Sequence, residues 1–320
     1  MPEQQTVATV TAASPPWVLL GAALLGLLAL FGAALDGAVR ARESGRPGVP
    51  GIATPLVETA RLMRQRRRRT LAADVLLWRL GSSGLPVVAL LMVAVVPLGR
   101  WTLFDSPVGV VWFNAMDVVV WALVWLTGWG ANGAQALVGG YRFLAQALGY
   151  ELPLMFALTA PAIAAGSLRT GDVVAAQGGL WFAVWMPVAF LVYCVGVVEF
   201  SVWGPFSVAA GPDLSGGVLS ELSGADRLLF LAGRYALLAA GAAFAVPLFL
   251  GGGHGPVLPA WLWVLVKAAV LLAVLVLVRR RVPALRPDKA VEAAWVVVLP
   301  LVLVQDLVVA VVAVVTAART

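Results

Sequence analysis

Long apolar runs alternate with short polar ones along the whole chain. A helix needs about 20 apolar residues to cross the hydrocarbon core of a bilayer, and eight runs of that kind fall at 17–37, 75–98, 108–130, 150–168, 179–201, 227–250, 259–279 and 293–317. Several begin or end at Trp, Pro or Gly, as interfacial anchors and turns do. Within lipid only a helix satisfies its own backbone. The pattern therefore predicts an all-α integral membrane protein, a bundle of about eight transmembrane helices in a single polytopic domain over 1–320.

Composition agrees with the pattern. Of the 320 residues 61% are hydrophobic and 12% charged, against about 25% charged in a soluble domain. So few charges cannot cover a water-facing surface of this size. The cations are also unevenly placed: nine of the 22 Lys and Arg residues lie between Arg40 and Arg69, and five between Arg279 and Lys289. The odd-numbered loops, at 40–74, 131–149, 202–226 and 280–292, carry nearly all the loop arginine. The even ones carry Arg100 and Arg169. The positive-inside rule places the odd loops in the cytoplasm and both termini outside, with 1–16 a short external tail. That tail lacks the basic start of a cleaved signal peptide, so the run from Trp17 is expected to remain as the first span. No internal repeat is visible.

The first loop does more than connect. Thr54-Pro55 reads as an N-cap followed by the first helical residue. Leu56, Ala60 and Met63 then share one helical face, with Glu58, Arg61 and Gln65 opposite. This predicts a short amphipathic helix on the inner membrane surface, with Glu58 and Arg61 paired at i,i+3. Arg66–Arg69 follow at headgroup level, where each adds about 1 kcal/mol of attraction to anionic lipid. The quadruplet resembles a nucleic-acid patch, but eight spans hold it at a membrane, and no nucleic-acid partner is expected.

Ionisable residues within spans are expensive and so are candidates for function. Asp36 closes the first span, Glu151 opens the fourth and Glu199 closes the fifth, all near the membrane face that carries Glu58. Four carboxylates at one depth can line a polar chamber or a proton route; the alternative is four unrelated interfacial groups. Deeper charges are Asp117, Arg234, Lys267 and Asp306, whose opposite signs permit interhelical pairing. His254 stands without a second ligand, so no metal site is expected. Cys194, the one cysteine, reads as a packing residue. No phosphate-binding glycine loop, zinc spacing or iron–sulfur cysteine cluster occurs. The chain carries no redox group of its own.

Three stretches, in order, resemble the H-type subunit (subunit 1) family of NADH-quinone oxidoreductase, respiratory complex I, which includes the membrane subunit of related hydrogenases. In ATPLVETARLM the match rests on Pro55, with Glu58 where the family has Asp and Arg61 where it has Lys. In WGANGAQALVGGYRFLAQALGYELPL it rests on Asn132, Arg142, Gln146, Tyr150 and Glu151. In the last two spans it rests on Lys267, Arg279, Pro283, Arg286, Asp288, Trp295 and Pro300. The fifth loop departs. Glu199, Pro205, Phe206, Glu221, Ser223 and Gly224 correspond, but the family's arginine is replaced around Val202-Trp203, its Asp after Pro-Phe is Ser207, and its row of acids is reduced to little more than Asp213.

The resemblance implies a subunit of a proton-translocating NADH-quinone oxidoreductase in a bacterial plasma membrane. It implies a quinone chamber floor, with a carboxylate chain linking quinone reduction to proton movement. Carried over, the proton-path candidates are Glu58, Glu151, Glu199 and Asp36. The chamber candidates are Arg61, Arg142, Tyr150, Phe206 and Glu221, and the docking-face candidates are Arg279, Arg286 and Asp288. NADH, FMN and iron–sulfur clusters would belong to peripheral-arm subunits, with other membrane-arm subunits and anionic lipid as further partners. A scaffold without quinone contact in a hydrogenase-like complex, or an ion transporter using the same carboxylates, are the competing readings.

Overall fold

A computed structural model describes residues 10–45, 47–206 and 208–318. Its helices are α1 (Trp17–Glu43), α2 (Gly48–Ile52), α3 (Thr54–Arg64), α4 (Val75–Val93), α5 (Gly109–Gly130), α6 (Ala134–Ala165), α7 (Thr170–Ala175), α8 (Phe182–Trp185), α9 (Pro187–Phe200), α10 (Gly224–Phe249), α11 (Ala260–Arg281), α12 (Pro287–Ala293) and α13 (Leu299–Ala317). A π-helical turn at Ala294–Val298 joins α12 to α13 as one rod. Pro300 has no N–H to give to the preceding turn, and the widened turn lies where that bond is missing. Two short strands, β1 (Thr11–Ala12) and β2 (Trp101–Thr102), pair in parallel.

Among the described residues, seven helices are long and apolar enough to cross a membrane: α1, α4, α5, α6, α10, α11 and the α12–α13 rod. The chain is thus an α-helical, multi-pass membrane protein. The fifth expected span differs from the rest. In place of one helix over 179–201 it is broken into α8 and the 14-residue α9. The break falls at Met186 (φ −119°, ψ 53°), followed by Pro187, whose ring cannot continue the preceding helix.

The fourth expected span is also displaced. Residues 134–149, expected as part of a cytoplasmic loop, are the first half of the 32-residue α6. At 1.5 Å per residue α6 is about 48 Å long, more than a bilayer core requires. Glu151 therefore lies in the middle of a helix rather than opening one. The polar and glycine-rich sequence of this half reflects close packing: a Cβ on Gly139 would stand 2.5 Å from the Ala209 carbonyl oxygen. Three short 3-10 turns between Val208 and Leu219 lie against it.

α10 is the hub, packed against α4, α11, α1 and α9. Phe113 of α5 stacks on Phe244 of α10 with ring centroids 3.9 Å apart and planes 2° from parallel. The buried Tyr193 hydroxyl of α9 donates to the Gly241 carbonyl at 2.7 Å. Small residues make such approaches possible: Gly81 of α4 meets Thr127 and Leu123 of α5 with no room for a side chain.

Candidate functional site

The interfacial helix forms as expected over Thr54–Arg64, but with Ala53 as N-cap and no side-chain cap. Its orientation is informative. Leu62 is fully buried, whereas Leu56 and Met63 are 61% and 72% exposed. Pro55, Glu58, Thr59 and Leu62 face the bundle, at the i, i+3, i+4, i+7 spacing of one helix face. The Leu56–Ala60–Met63 face points away from the protein, free for the membrane surface.

Beneath the inward face lies a cavity of about 740 Å³ between α1, α3 and α10, with Pro86 and Leu90 of α4 on a further wall. Most of its wall is apolar, including Leu25, Leu30, Ala33 and Leu231. The polar part is formed by Asp36, Arg40, Glu58, Arg227, Arg234 and Tyr235, with Trp203 among them. Glu58 accepts two bonds from Arg61, at 2.7 and 2.5 Å. That guanidinium holds the carboxyl below the usual range for glutamate. Arg61 itself is exposed and is not part of the cavity wall.

Asp36 is saturated with cations. It accepts from Arg279 at 2.7 Å, Arg280 at 2.9 Å and Arg40 at 2.9 Å, and from the Tyr235 hydroxyl at 3.0 Å. Arg280 also bonds Glu43 at 2.5 Å. Both side chains of the Asp36–Arg279 pair are buried, so α1 and α11 are fastened through a charge pair out of water. The guanidinium carbons of Arg279 and Arg234 lie 3.9 and 3.8 Å from the centre of the Trp203 ring. Arg279, expected on a docking face, is thus buried behind the cavity. Arg286 and Asp288 are exposed and paired with each other at 3.2 Å.

The four expected carboxylates do not share one site. Asp36 and Glu58 line the cavity, while Glu151 belongs to a second group deeper in the bundle. There Asn114 donates to Glu151 at 2.9 Å, and the Tyr150 hydroxyl donates to Asp117 at 3.4 Å while accepting from Trp121 at 3.1 Å. Asp117 lies close to Glu151, with the buried Glu199 also near it. One oxygen on each of Asp117 and Glu151 is buried without a protein partner. Two carboxyl groups brought this close inside a bundle repel each other when both are charged, which makes the pair suited to binding and passing a proton.

The remaining candidates are scattered. Tyr150 belongs to this deeper group and not to the cavity. Arg142 pairs with Asp213 in the middle of the fifth loop, away from Glu151, and holds the Asp213 carboxyl below its ordinary range. Phe206 is half-buried against the core, and Glu221 packs beside Gly133. Ser207 lies outside the described residues. The deep charges do not pair with one another. Lys267 donates to three backbone carbonyls, Leu250, Gly252 and His254, at 2.7, 2.9 and 2.7 Å. Asp306 accepts from Thr159 at 3.0 Å, and Arg234 donates to the Val202 carbonyl.

Sequence reasoning missed Tyr235, Arg227 and Asn114 as site residues, and it placed Asp117 outside the carboxylate group. The missed signal for Asp117 was helix position: its side chain meets residue 151 only once α6 is known to extend back to residue 134. Tyr235 follows Arg234 directly, so a deep arginine beside a tyrosine on a hub helix was a legible pointer to a polar wall.

Known proteins share this pattern of sequence. The chain matches the NADH dehydrogenase family over residues 17–310, from α1 into α13. It is 35% identical over 274 residues to an H-type subunit (copy 1) of NADH-quinone oxidoreductase from Geobacter metallireducens, covering 82% of this chain and 83% of that one. It is 36% identical over 307 residues to an H-type subunit (copy 2) of NADH-quinone oxidoreductase from Cereibacter sphaeroides, covering 91% and 96%. It is 32% identical over 268 residues to the H-type subunit of NADH-quinone oxidoreductase from Geobacillus kaustophilus, covering 82% and 80%. With that extent of match and a multi-pass helical bundle to go with it, the chain belongs to the NADH dehydrogenase family.

Proposed function

We propose that this chain is the H-type membrane subunit of an NADH-quinone oxidoreductase, forming the floor of its quinone chamber. The carrying observation is the cavity between α1, α3 and α10. It has the form an amphiphilic quinone requires, a long apolar wall for the tail and one polar region for the head. It also opens beside an interfacial helix whose free face suits the membrane surface, so a lipid-soluble ligand could enter from the bilayer. Electrons would come from iron–sulfur clusters of peripheral-arm subunits, with NADH and FMN further upstream.

Proton movement is the second half of the proposal. Asp36 and Glu58 stand at the cavity, and Asp117, Glu151 and Glu199 stand inward of it. A change of charge in the cavity alters the field on the inner group, and so its affinity for protons. The first and seventh loops, which hold most of the loop arginine, would face the cytoplasm together with the third and fifth, with both termini outside. Arg66–Arg69 would meet anionic headgroups, and Arg286 with Asp288 would face the docking subunits. Purification in mild detergent tests the assignment: iron–sulfur and antiporter-like subunits should co-purify. Recovery of the chain alone, with solute transport in liposomes, would support a transporter instead.

A further inference from the structure

The polar region of the cavity carries more positive charge than its carboxylates neutralise. Asp36 is shared by Arg40, Arg279 and Arg280, and Glu58 is taken up by Arg61. That leaves Arg227 and Arg234, both in the cavity wall and neither paired with a carboxylate among the described residues. Arg227 donates to the Leu219 carbonyl at 3.2 Å and Arg234 to the Val202 carbonyl. Each keeps a buried Nε without a protein partner. Arg234 is only 6% exposed. A buried guanidinium without a counter-charge is costly, and such groups are retained where they meet a ligand.

The surroundings hold Arg234 in place for that task. The Trp203 indole N–H donates to the Arg234 carbonyl at 3.2 Å, while the guanidinium lies on the indole ring and reaches Val202. The two contacts tie α10 to the fifth loop in both directions.

We infer that Arg234, assisted by Arg227, binds the ligand's head group through its electron-rich oxygens and favours an anionic head group over a neutral one. The inference rests on the quinone reading and assigns a specificity to it. Arg is suited to the role because its planar fork keeps several donors in fixed directions and stays charged when buried.

The test uses two quinones of the same shape on the intact complex: a 2-hydroxy-3-alkyl-1,4-naphthoquinone, whose acidic enol is ionised at neutral pH, and its neutral 2-methoxy counterpart. Binding is measured by calorimetry for wild type, Arg234→Gln and Arg234→Lys. The expected result is about tenfold tighter binding of the ionised compound by wild type, a difference of about 1.4 kcal/mol. Arg234→Gln should bind both weakly and alike, losing the preference for the ionised compound, and Arg234→Lys should keep part of the preference. Equal binding of both compounds by wild type, or an unchanged preference in Arg234→Gln, would overturn the inference and leave the quinone reading standing. Binding of neither compound by wild type would remove both.

Discussion

Asp36 of α1 and Arg279 of α11 are joined at 2.7 Å with both side chains buried, across 243 positions of sequence. The pair forms the back of the cavity, with Arg280, Arg40 and Tyr235 bonded to the same carboxylate. Removing one partner of a buried pair leaves the other charged and unsolvated, which costs about 3–5 kcal/mol. Asp36→Asn should therefore lower the thermal stability of the detergent-solubilised protein strongly. Arg40→Gln, whose side chain is 63% exposed, should do so little. Equal effects of the two substitutions in a thermal unfolding assay would refute this ranking.

Glu58 offers a test by pH. Its carboxyl is held below the 4.5 of an unperturbed glutamate, chiefly by the Arg61 hydrogen bond. A depressed folded-state pKa means that the Glu58–Arg61 contact stabilises α3 above the unfolded value, and that this is lost as pH falls through the folded value. Carbon-13 NMR of a labelled Glu58 should show titration below 4.5, and Arg61→Gln should move it upward. Titration at or above 4.5 in the wild type would exclude the pair.

The all-helical character and seven of the eight expected spans were legible in the apolar runs, because hydrocarbon imposes one length and one secondary structure on a span. The amphipathic α3 was legible for a related reason: its residues repeat at helical spacing and start at a proline. Residues 134–149 were not legible. Gly139, Gly140, Arg142 and Gln146 resemble a loop when only hydropathy is read, yet glycine there admits the Ala209 backbone, and Arg142 reaches Asp213. The split of the carboxylates was hidden for the same reason, since it depends on which helix faces meet. The break at Met186-Pro187 could have been suspected from the proline alone.

Gly139 gives a direct check on that packing. A methyl group at this position would press on the Ala209 carbonyl, a backbone atom that cannot swing aside. Overpacking of this kind costs about 1–3 kcal/mol. Gly139→Ala should expose the segment 208–219 to faster amide hydrogen exchange, while the amides of α10 stay protected. Unchanged exchange in 208–219 would mean that the loop does not rest on α6.

Lys267 makes a comparable prediction for the opposite end of the bundle. Its ammonium spends all three donors on the carbonyls of Leu250, Gly252 and His254, and it lies 4.3 Å from the centre of the Trp181 ring. Lys267→Met should loosen this turn, seen as faster amide exchange over 251–255. Lys267→Arg should not restore it, because a planar guanidinium cannot direct three bonds as a compact ammonium does. Full protection in the methionine variant would show that the turn holds without the cage.

The proton half of the proposed function is carried by Glu151, bonded to Asn114 and adjacent to Asp117. Glu151→Gln preserves shape and the Asn114 contact but removes the exchangeable carboxyl proton. The complex should assemble normally and lose about a hundredfold or more of its coupled proton translocation, an amount in line with removing one proton-transfer group. Wild-type translocation in this variant would take Glu151 out of the route.

The central claim is that the cavity between α1, α3 and α10 receives quinone. Photolabelling of the intact complex with an azido-quinone, followed by peptide mapping, tests it most directly. Label is expected on α1 near Ala29–Gly37, on α3 near Thr54–Leu62 and on α10 near Arg227–Ala236, all suppressed by excess unlabelled quinone. Label confined to other surfaces of this chain, or label in the cavity that excess quinone does not suppress, would contradict it.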